Sequence, residues 1–562
     1  MALRAFSAGS AAMVAQVIRD LGIVETVDDM VKWDPKQCKH SPGTHVLAML
    51  INILMGRTAL YQVSRFYELQ DVPVLFGTEA SAEDFNDCAL GRTLDKVFEA
   101  GPKKVFGAAS MRSVLREDVA FRVVHGDTTS WALKGVFETS AEGDEALWVT
   151  RGYSRDHRPD LKQFNYGLVV NGEGVPLLGE AYDGNESDKV WNNRVIGELA
   201  EQFTDRLTEL VYVADSALVT KKNLDLIAGK DVRFISRLPA TFGQEQEAKD
   251  RAFADDDWTD AGVLTLNPKP DSARYRWREY TVEIPTPEAV RSYRLIVVHS
   301  TSLDKRKAAT LEKNLLKQRE ELEDQLLQLG KVQFACEPDA RAALEKARQD
   351  NRNSLYEIAG DVQAEEQVVR RARPGRPRKD EPLPIRTIYR VRATVGDLKE
   401  REYADLKLRA SCFVLITNIL DRAAYPAENV LRDYKDQTAV ELQFRAIKEP
   451  EFVGAMFVKK PERLEALAYI VLLAAMVRAI IQRRARRYAQ ANDEEFTLPG
   501  NRKTNRPTGR QILDLFDAVI VVILPDGTRV LSESKLFPDK MFKALGVSPS
   551  AYTTVHHETH SP

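Results

Sequence analysis

The sequence is organised around residues 431–450, which read LRDYKDQTAVELQFRAIKEP. The stretch has no Gly, has no Pro before its last residue, and is rich in residues that favour helices. Val440, Phe444 and Ile447 follow the i, i+4, i+7 spacing of one helical face. The pattern therefore predicts one helix with a buried apolar stripe.

The second face of this predicted helix carries polar groups. Tyr434, Glu441 and Lys448 are spaced by two helical turns, and Gln437 lies between the first two. A carboxylate flanked by a phenol, an amide and an ammonium suits a metal ion beside a phosphate. The alternative is a solvated face with ordinary i, i+4 pairs, so the functional interpretation depends on partners for Glu441 elsewhere in the chain.

Composition indicates a soluble globular protein. A chain of 562 residues is long enough for about three or four domains. Its 44% hydrophobic and 29% charged residues are ordinary, and the net charge of −3 does not by itself indicate a nucleic-acid binder. The four cysteines lack metal or redox spacing, which indicates reduced thiols in the cytoplasm. The most apolar run, 466–477, falls short of the ~20 residues that span a bilayer and predicts a buried helix.

Residues 1–115 have helical patterns, and Pro42 stands where Pro is best tolerated, at a helix start. Several short helices with tight connections fit a small DNA-binding domain, and they fit a structural cap equally well. No pattern typical of a groove-reading helix decides between the two.

From residue 119 the pattern changes to strands and helices. Strands are predicted at 120–124, 163–170, 175–182, 210–213 and 232–238, with helices at 190–207 and 221–228. This order is that of a ribonuclease H-like core, an α/β fold with a mixed sheet flanked by helices. Its first three strands are antiparallel and its first and fourth are neighbours. Asp127 and Asp215, each after one of those two strands, would then be close enough to share a cation.

The remaining chain completes this organisation. Residues 241–425 have strand and long-helix patterns of their own, which predicts an inserted domain rather than a loop. The core would comprise 116–240 and 426–490, the second part carrying Glu441, and 491–562 would form a C-terminal region.

Two carboxylates at strand ends and a third on a helix suit a two-metal site for phosphoryl transfer. Hard divalent cations such as magnesium take oxygen ligands. Two such ions, ~3.5–4 Å apart, stabilise the attacking and leaving oxygens of an in-line displacement at phosphate.

The segments HGDTT (125–129) and YVADS (212–216), with the spacing of Tyr434, Glu441 and Lys448, resemble the catalytic pattern of DDE transposases from bacterial insertion sequences. In that family the third element reads Tyr-x2-Arg-x3-Glu-x6-Lys. Segments 153–163 and 184–188 also resemble one branch of it, and the resemblance covers roughly residues 1–530.

One position departs from the family pattern. Gln437 stands where the family has Arg, and an amide can donate a hydrogen bond but carries no charge. Gln437 would therefore hold a phosphate more weakly than the Arg of the family does. Arg445, one turn after Glu441, would be placed to compensate.

The resemblance implies roles for particular residues. Asp127, Asp215 and Glu441 would be the catalytic residues and would hold magnesium, with manganese as an alternative. Residues expected to contact DNA are Tyr434, Gln437, Arg445, Lys448, Arg376, Arg483, Arg484 and Arg487. Arg376 lies in RPGRPRK (373–379), which resembles an AT-hook for the minor groove or is simply a basic linker.

The implied function is a DNA transposase that binds the terminal inverted repeats of its element, cleaves there and transfers the strand. The inserted domain, placed as in hairpin-forming relatives, suggests a hairpin intermediate. The implied partner is double-stranded DNA, bound by a homodimer in the cytoplasm, with no membrane. The alternatives are a ribonuclease H-like nuclease or resolvase, and a DNA-binding protein that has lost cleavage.

Overall fold

The computed structural model describes residues 4–56, 58–133, 146–203, 209–265, 268–302, 305–369, 385–449, 458–532 and 537–556. The chain forms two compact units. The first comprises Met1–Pro239, Glu283–Arg294 and Ile416–Pro562, and the second Ala240–Val282 and Leu295–Leu415. The second unit lies almost entirely within the range predicted for the inserted domain, 241–425, but residues 283–294 and 416–425 of that range belong to the first unit. The predicted N-terminal and C-terminal regions both belong to the first unit.

The strands and helices are as follows. The described strands are β1 (Arg4–Ser7), β2 (Val123–Leu133), β3 (Lys162–Asn171), β4 (Pro176–Tyr182), β5 (Val211–Ala214), β6 (Arg233–Arg237), β7 (Thr259–Val263), β8 (Arg274–Pro285), β9 (Val290–Ser300), β10 (Tyr356–Val368), β11 (Ile385–Leu398), β12 (Cys412–Thr417), β13 (Phe496–Leu498), β14 (Arg502–Thr504), β15 (Ile520–Ile523) and β16 (Arg529–Leu531). The described α-helices are α1 (Ala11–Asp20), α2 (Ile23–Met30), α3 (Pro42–Ile51), α4 (Val63–Tyr67), α5 (Val72–Phe76), α6 (Asp87–Ala100), α7 (Pro102–Arg116), α8 (Asp188–Gln202), α9 (Lys221–Gly229), α10 (Gly243–Asp255), α11 (Lys305–Lys331), α12 (Glu337–Asp350), α13 (Glu400–Ala410), α14 (Ala427–Lys435), α15 (Thr438–Ile447), α16 (Pro461–Asn492), α17 (Gly509–Leu515) and α18 (Asp539–Leu545).

The first unit contains a mixed sheet with strand order β4-β3-β2-β5-β6. Strand β3 is antiparallel to β2 and β4, whereas β5 is parallel to β2 and β6. The predicted pairings, including the first strand beside the fourth, are confirmed. The predicted end of the first strand at residue 124 is wrong, because its antiparallel pairing with β3 continues to Leu133.

Helices cover both faces of this sheet. A side chain at Gly167 of β3 would lie 2.0 Å from the Trp191 indole of α8, so α8 packs closely there. A side chain at Gly179 of β4 would meet Leu472 of α16 at 2.8 Å. Leu168 pairs with Gly179 across β3 and β4, and neighbouring residues of a strand point to opposite faces. Helices α8 and α16 therefore lie on opposite faces.

Helix α16 is the core element of the first unit. It packs against α6, α7 and β4, and the carbonyl of Ala468 accepts a 2.9 Å hydrogen bond from the Tyr166 hydroxyl of β3. Its length and composition would allow it to cross a membrane, but its most apolar window is 94% buried within the protein. The predicted buried helix is confirmed. The length argument used for it is wrong, since the helix has 32 residues.

The second unit contains strands in the order β12-β9-β8-β7, with β7 antiparallel to β8, and a long antiparallel ribbon of β10 and β11. Helices α11 and α12 pack on the ribbon. Leu322 and Leu326 of α11 form an apolar cluster with Tyr356. The segment 373–379, with Arg376, lies outside the described residues.

Candidate active site

The stretch 431–450 forms two helices rather than the predicted one. Helix α14 ends at Lys435 and α15 begins at Thr438. The hydroxyl of Thr438 donates a 3.1 Å hydrogen bond to the carbonyl of Lys435, the kind of local bond that competes with the helical ladder. The apolar face is confirmed, since Val440, Phe444 and Ile447 are buried.

The break separates the two residues expected to share a helical face. Tyr434 lies in the last turn of α14, and Glu441 in the first turn of α15. Burial raises the pKa of Tyr434, and the negative charges of Asp215 and Glu441 raise it further. Tyr434 thus lies within electrostatic reach of two of the predicted catalytic carboxylates, although the helical spacing that predicted this is wrong.

The sheet brings Asp127 and Asp215 together. In the parallel pairing of β2 with β5, Gly126 lies opposite Ala214, so the next residues of the two strands are neighbours. Asp127 lies within β2, where this parallel pairing ends. Asp215 follows β5 and accepts a 3.0 Å hydrogen bond from the amide of Ala217, which caps a short 3-10 turn.

Gly126 allows this arrangement. A side chain there would lie 2.3 Å from the hydroxyl of Tyr212. That hydroxyl donates a 2.9 Å hydrogen bond to Asn192 of α8. The glycine between His125 and Asp127 is therefore required by the packing of Tyr212 beneath β2.

Both carboxyl groups are protonated more readily than usual. Burial raises the pKa of Asp127 to about 7, assisted by the charges of Asp215 and Asp188 and opposed by Arg155 and the amide of Thr128. Burial also raises the pKa of Asp215. Both aspartates would be stabilised in their charged form by an additional cation.

Arg155 and Asp188 belong to this site, and sequence reasoning gave them no role. The Nη2 atom of Arg155 donates to Oδ2 of Asp188 at 2.5 Å and to Oγ1 of Thr128 at 2.6 Å. Its Nη1 atom lies 3.4 Å from Oδ1 of Asp127. Both residues lie in segments, 153–163 and 184–188, that carry the family resemblance. The signal in the sequence that could have pointed to this site is the opposite charge of Arg155 and Asp188.

Glu441 lies on α15, a different element from the strands that position the two aspartates. It is exposed, and α15 packs against β2 and β3. Within the described ranges, no three His, Cys, Asp or Glu side chains form a group ready to hold a metal. The structure therefore brings together two of the three predicted ligands and places the third on a neighbouring helix.

The other predicted DNA contacts on α15 lie around Glu441. The Nζ atom of Lys448 forms a 2.6 Å ion pair with Asp156, which belongs to the segment 151–161, here called the strap. Arg445 is exposed and Gln437, just before α15, is partly exposed. Lys448 would have to exchange this carboxylate for a phosphate in order to bind DNA.

Arg483 and Arg484, which were predicted to contact DNA, form ion pairs with carboxylates of the first unit. The Arg483 side chain is only 4% exposed and pairs with Glu173 at 2.5 Å. Arg484 pairs with Glu117 at 2.5 Å. Carboxylates of the first unit thus already neutralise both cations inside the protein. Arg487 is exposed and remains a predicted DNA contact.

Arg483→Ala should destabilise the protein by about 2 kcal/mol, because it removes a buried guanidinium that donates to the Glu173 carboxylate and to the carbonyls of Glu117 and Asp118. The exposed Arg487→Ala is the matched control and should change stability by less than about 0.5 kcal/mol. Thermal unfolding of both variants tests this. Equal unfolding temperatures would contradict the structural role of Arg483.

The raised pKa of Asp127 predicts a pH-dependent stability. Between its ordinary pKa and about 7, the folded protein holds a proton that the unfolded chain has released, so stability falls as pH rises through this range. In metal-free buffer at pH 8, Asp127→Asn should therefore be more stable than wild type, on the order of a few kcal/mol. The difference should shrink toward pH 4. Unfolding temperatures of wild type and Asp127→Asn, measured from pH 4 to pH 8, test this prediction. A difference that did not change with pH would contradict it.

Comparison with known proteins bears on the N-terminal part. A family model described as a domain of unknown function, DUF4277, matches residues 8–111, from just before α1 into α7. No curated protein matches the chain. The matched family covers the helical region that precedes the sheet.

Proposed function

We propose that this chain is a DDE-type DNA transposase that binds the terminal inverted repeats of an insertion sequence and catalyses metal-dependent strand cleavage and strand transfer. The parallel pairing of β2 with β5 carries the proposal, because it sets Asp127 beside Asp215. The strand order β4-β3-β2-β5-β6 supports it as well, since it agrees with a ribonuclease H-like core.

The residues present fit a divalent cation. Asp127 and Asp215 offer oxygen ligands, and because burial raises the pKa of each, a bound cation would stabilise their charged forms. Hard cations such as magnesium or manganese bind such ligands. Asp127 and Asp215 would hold the metal, with Glu441 of α15 as the third ligand. When bound, these ions activate water and stabilise charge at the attacked phosphate.

The protein's other groups would place the DNA. Tyr434 lies near both Asp215 and Glu441, where its phenol can donate to a phosphate oxygen. Lys448 is held beside the same helix by Asp156. Gln437 supplies a neutral donor, and the exposed Arg445 supplies a charge one turn after Glu441. These residues would orient the scissile phosphate toward the two aspartates.

A cleavage assay tests the proposal. The substrate is a labelled duplex that carries the inverted repeat flanking the gene, incubated with the full chain and Mg²⁺ and resolved on a denaturing gel. We expect a nick at the repeat end, a strand-transfer product, and a hairpin form of the flanked end. We also expect two ends bound per protein dimer on a native gel.

Three other outcomes contradict the proposal in different ways. Cleavage without strand transfer would favour a nuclease or resolvase. Specific end binding without cleavage in Mg²⁺ or Mn²⁺ would favour a DNA-binding protein derived from a transposase. Equal affinity for the repeat and for an unrelated duplex would mean that the protein does not act specifically on these ends.

A further inference from the structure

One guanidinium is shared unequally between carboxylates of the site. Arg155 lies 2.5 Å from Asp188 and 3.4 Å from Asp127. Asp188 is also fixed from its other side, because its Oδ1 accepts a 2.6 Å hydrogen bond from the hydroxyl of Thr128. Thr128 directly follows Asp127 on β2, so the network adjoins the proposed metal ligands.

The backbone limits where this guanidinium can go. The amide of Arg155 donates a 2.9 Å hydrogen bond to Oγ of Ser130 on β2. Further back in the strap, a side chain at Gly152 would lie 2.0 Å from the carbonyl of Gly184, so the two backbones are in close contact. Arg155 is thus tied to the site through its main chain. If Asp188 no longer held it, Asp127 would be the nearest remaining anion.

We propose that Asp188 is a positioning residue that holds Arg155 closer to itself than to Asp127, and thereby keeps Asp127 and Asp215 available to a divalent cation. The charges support this assignment. The Arg155–Asp188 pair is neutral, which leaves two negative charges on the aspartates to match a divalent ion. If Arg155 moved onto Asp127, one of these charges would be cancelled. The inference rests on the proposed function, since it concerns the same metal site.

A purely structural ion pair predicts different behaviour. In that case Asp188→Asn and Arg155→Gln would each loosen the strap, and the double variant would bind metal no better than either. If Asp188 acts by restraining Arg155, loss of Asp188 is harmful only while Arg155 carries its charge. Arg155→Gln should then rescue Asp188→Asn.

The test is Mn²⁺ binding by the full chain without DNA, measured from the electron paramagnetic resonance signal of free Mn²⁺. Asp188→Asn should weaken binding about 10- to 100-fold, the range expected when a partner outside the ligand set is lost. Arg155→Gln should bind at least as tightly as wild type, and the double variant should return to within a few-fold of it. Asp188→Glu keeps the charge and should bind close to wild type.

Controls separate the possible failures. Arg158→Gln removes a cation of the same strap that pairs with Asp160 at the surface and should leave Mn²⁺ affinity unchanged. Thermal unfolding without metal shows whether each variant is folded. If the double variant bound Mn²⁺ as weakly as Asp188→Asn does, the role inferred for Asp188 would be overturned, while the proposed function would still stand. If Asp127→Asn bound Mn²⁺ as tightly as wild type, both the inference and the metal site of the proposed function would be overturned.

Discussion

Asp127→Asn and Asp215→Asn should each reduce cleavage of the element end by on the order of 10³-fold or more, while DNA affinity changes little. Each substitution keeps the shape of the side chain and removes a charged ligand from adjacent ends of the parallel pairing of β2 and β5. Cleavage depends on that charge through the metal, whereas most of the affinity for DNA comes from cationic contacts with the phosphate backbone. Glu441→Gln should act in the same direction if α15 supplies the third ligand.

The measurement pairs the denaturing-gel assay with an affinity measurement at fixed salt. The control is Asp160→Asn, an exposed carboxylate of the strap that pairs with Arg158, and it should cut like wild type. A neutral variant at position 127 or 215 that retained more than trace cleavage would remove that residue from the site. Parallel loss of binding and cleavage would indicate damage to the fold instead.

The adjacency of Asp127 and Asp215 could be predicted because it depends on strand order, and strands reveal themselves in short apolar, β-branched runs. The extent of β2 could not, because its later residues, Thr128 to Leu133, are held by pairing with β3 rather than by their own pattern. Strand β10 is a related case: six of its thirteen residues carry charged or amide side chains, and its pairing with β11 in the ribbon decides its conformation.

The helix break in 431–450 and the burial of Arg483 illustrate a second limit. Propensity summed over 431–450 favours a continuous helix, yet α14 ends at Lys435 and α15 begins at Thr438, whose hydroxyl donates to the carbonyl of Lys435. A cluster of arginines predicts a basic surface only if the cations reach solvent. Arg483 instead pairs with Glu173, 310 positions away in sequence. The sequence around either residue gives no indication of such a distant pairing.

Arg155 and Asp188 show a third case, in which the residues were visible but their relation was not. Each lies in a segment that resembles the family, and nothing in either segment alone indicates that they meet. The contact depends on the close approach of the backbone around Gly152 to that around Gly184. These glycines therefore offer a direct test of whether the strap organises the site.

Gly184→Ala should destabilise the protein by about 2–4 kcal/mol and reduce cleavage at least about tenfold. A side chain at this position would lie 2.0 Å from the carbonyl oxygen of Gln163 and 2.9 Å from that of Thr150. Both atoms belong to backbone, and these two residues form the bridge that joins the start of the strap to β3. The added methyl group must push them apart, which displaces Arg155 on one side and the segment leading to Asp188 on the other.

The matched control is Gly172→Ala in the turn between β3 and β4, where a side chain would meet nothing within 4 Å. We expect Gly172→Ala to have the unfolding temperature and cleavage rate of wild type. Gly184→Ala should instead lower the unfolding temperature by about 5 °C or more. Mn²⁺ affinity of Gly184→Ala should also fall, because the same displacement loosens the hold of Asp188 on Arg155. Equal unfolding temperatures for the two variants would mean that the strap can shift without cost. The close contact at Gly184 would then not be what fixes Arg155 beside the catalytic aspartates.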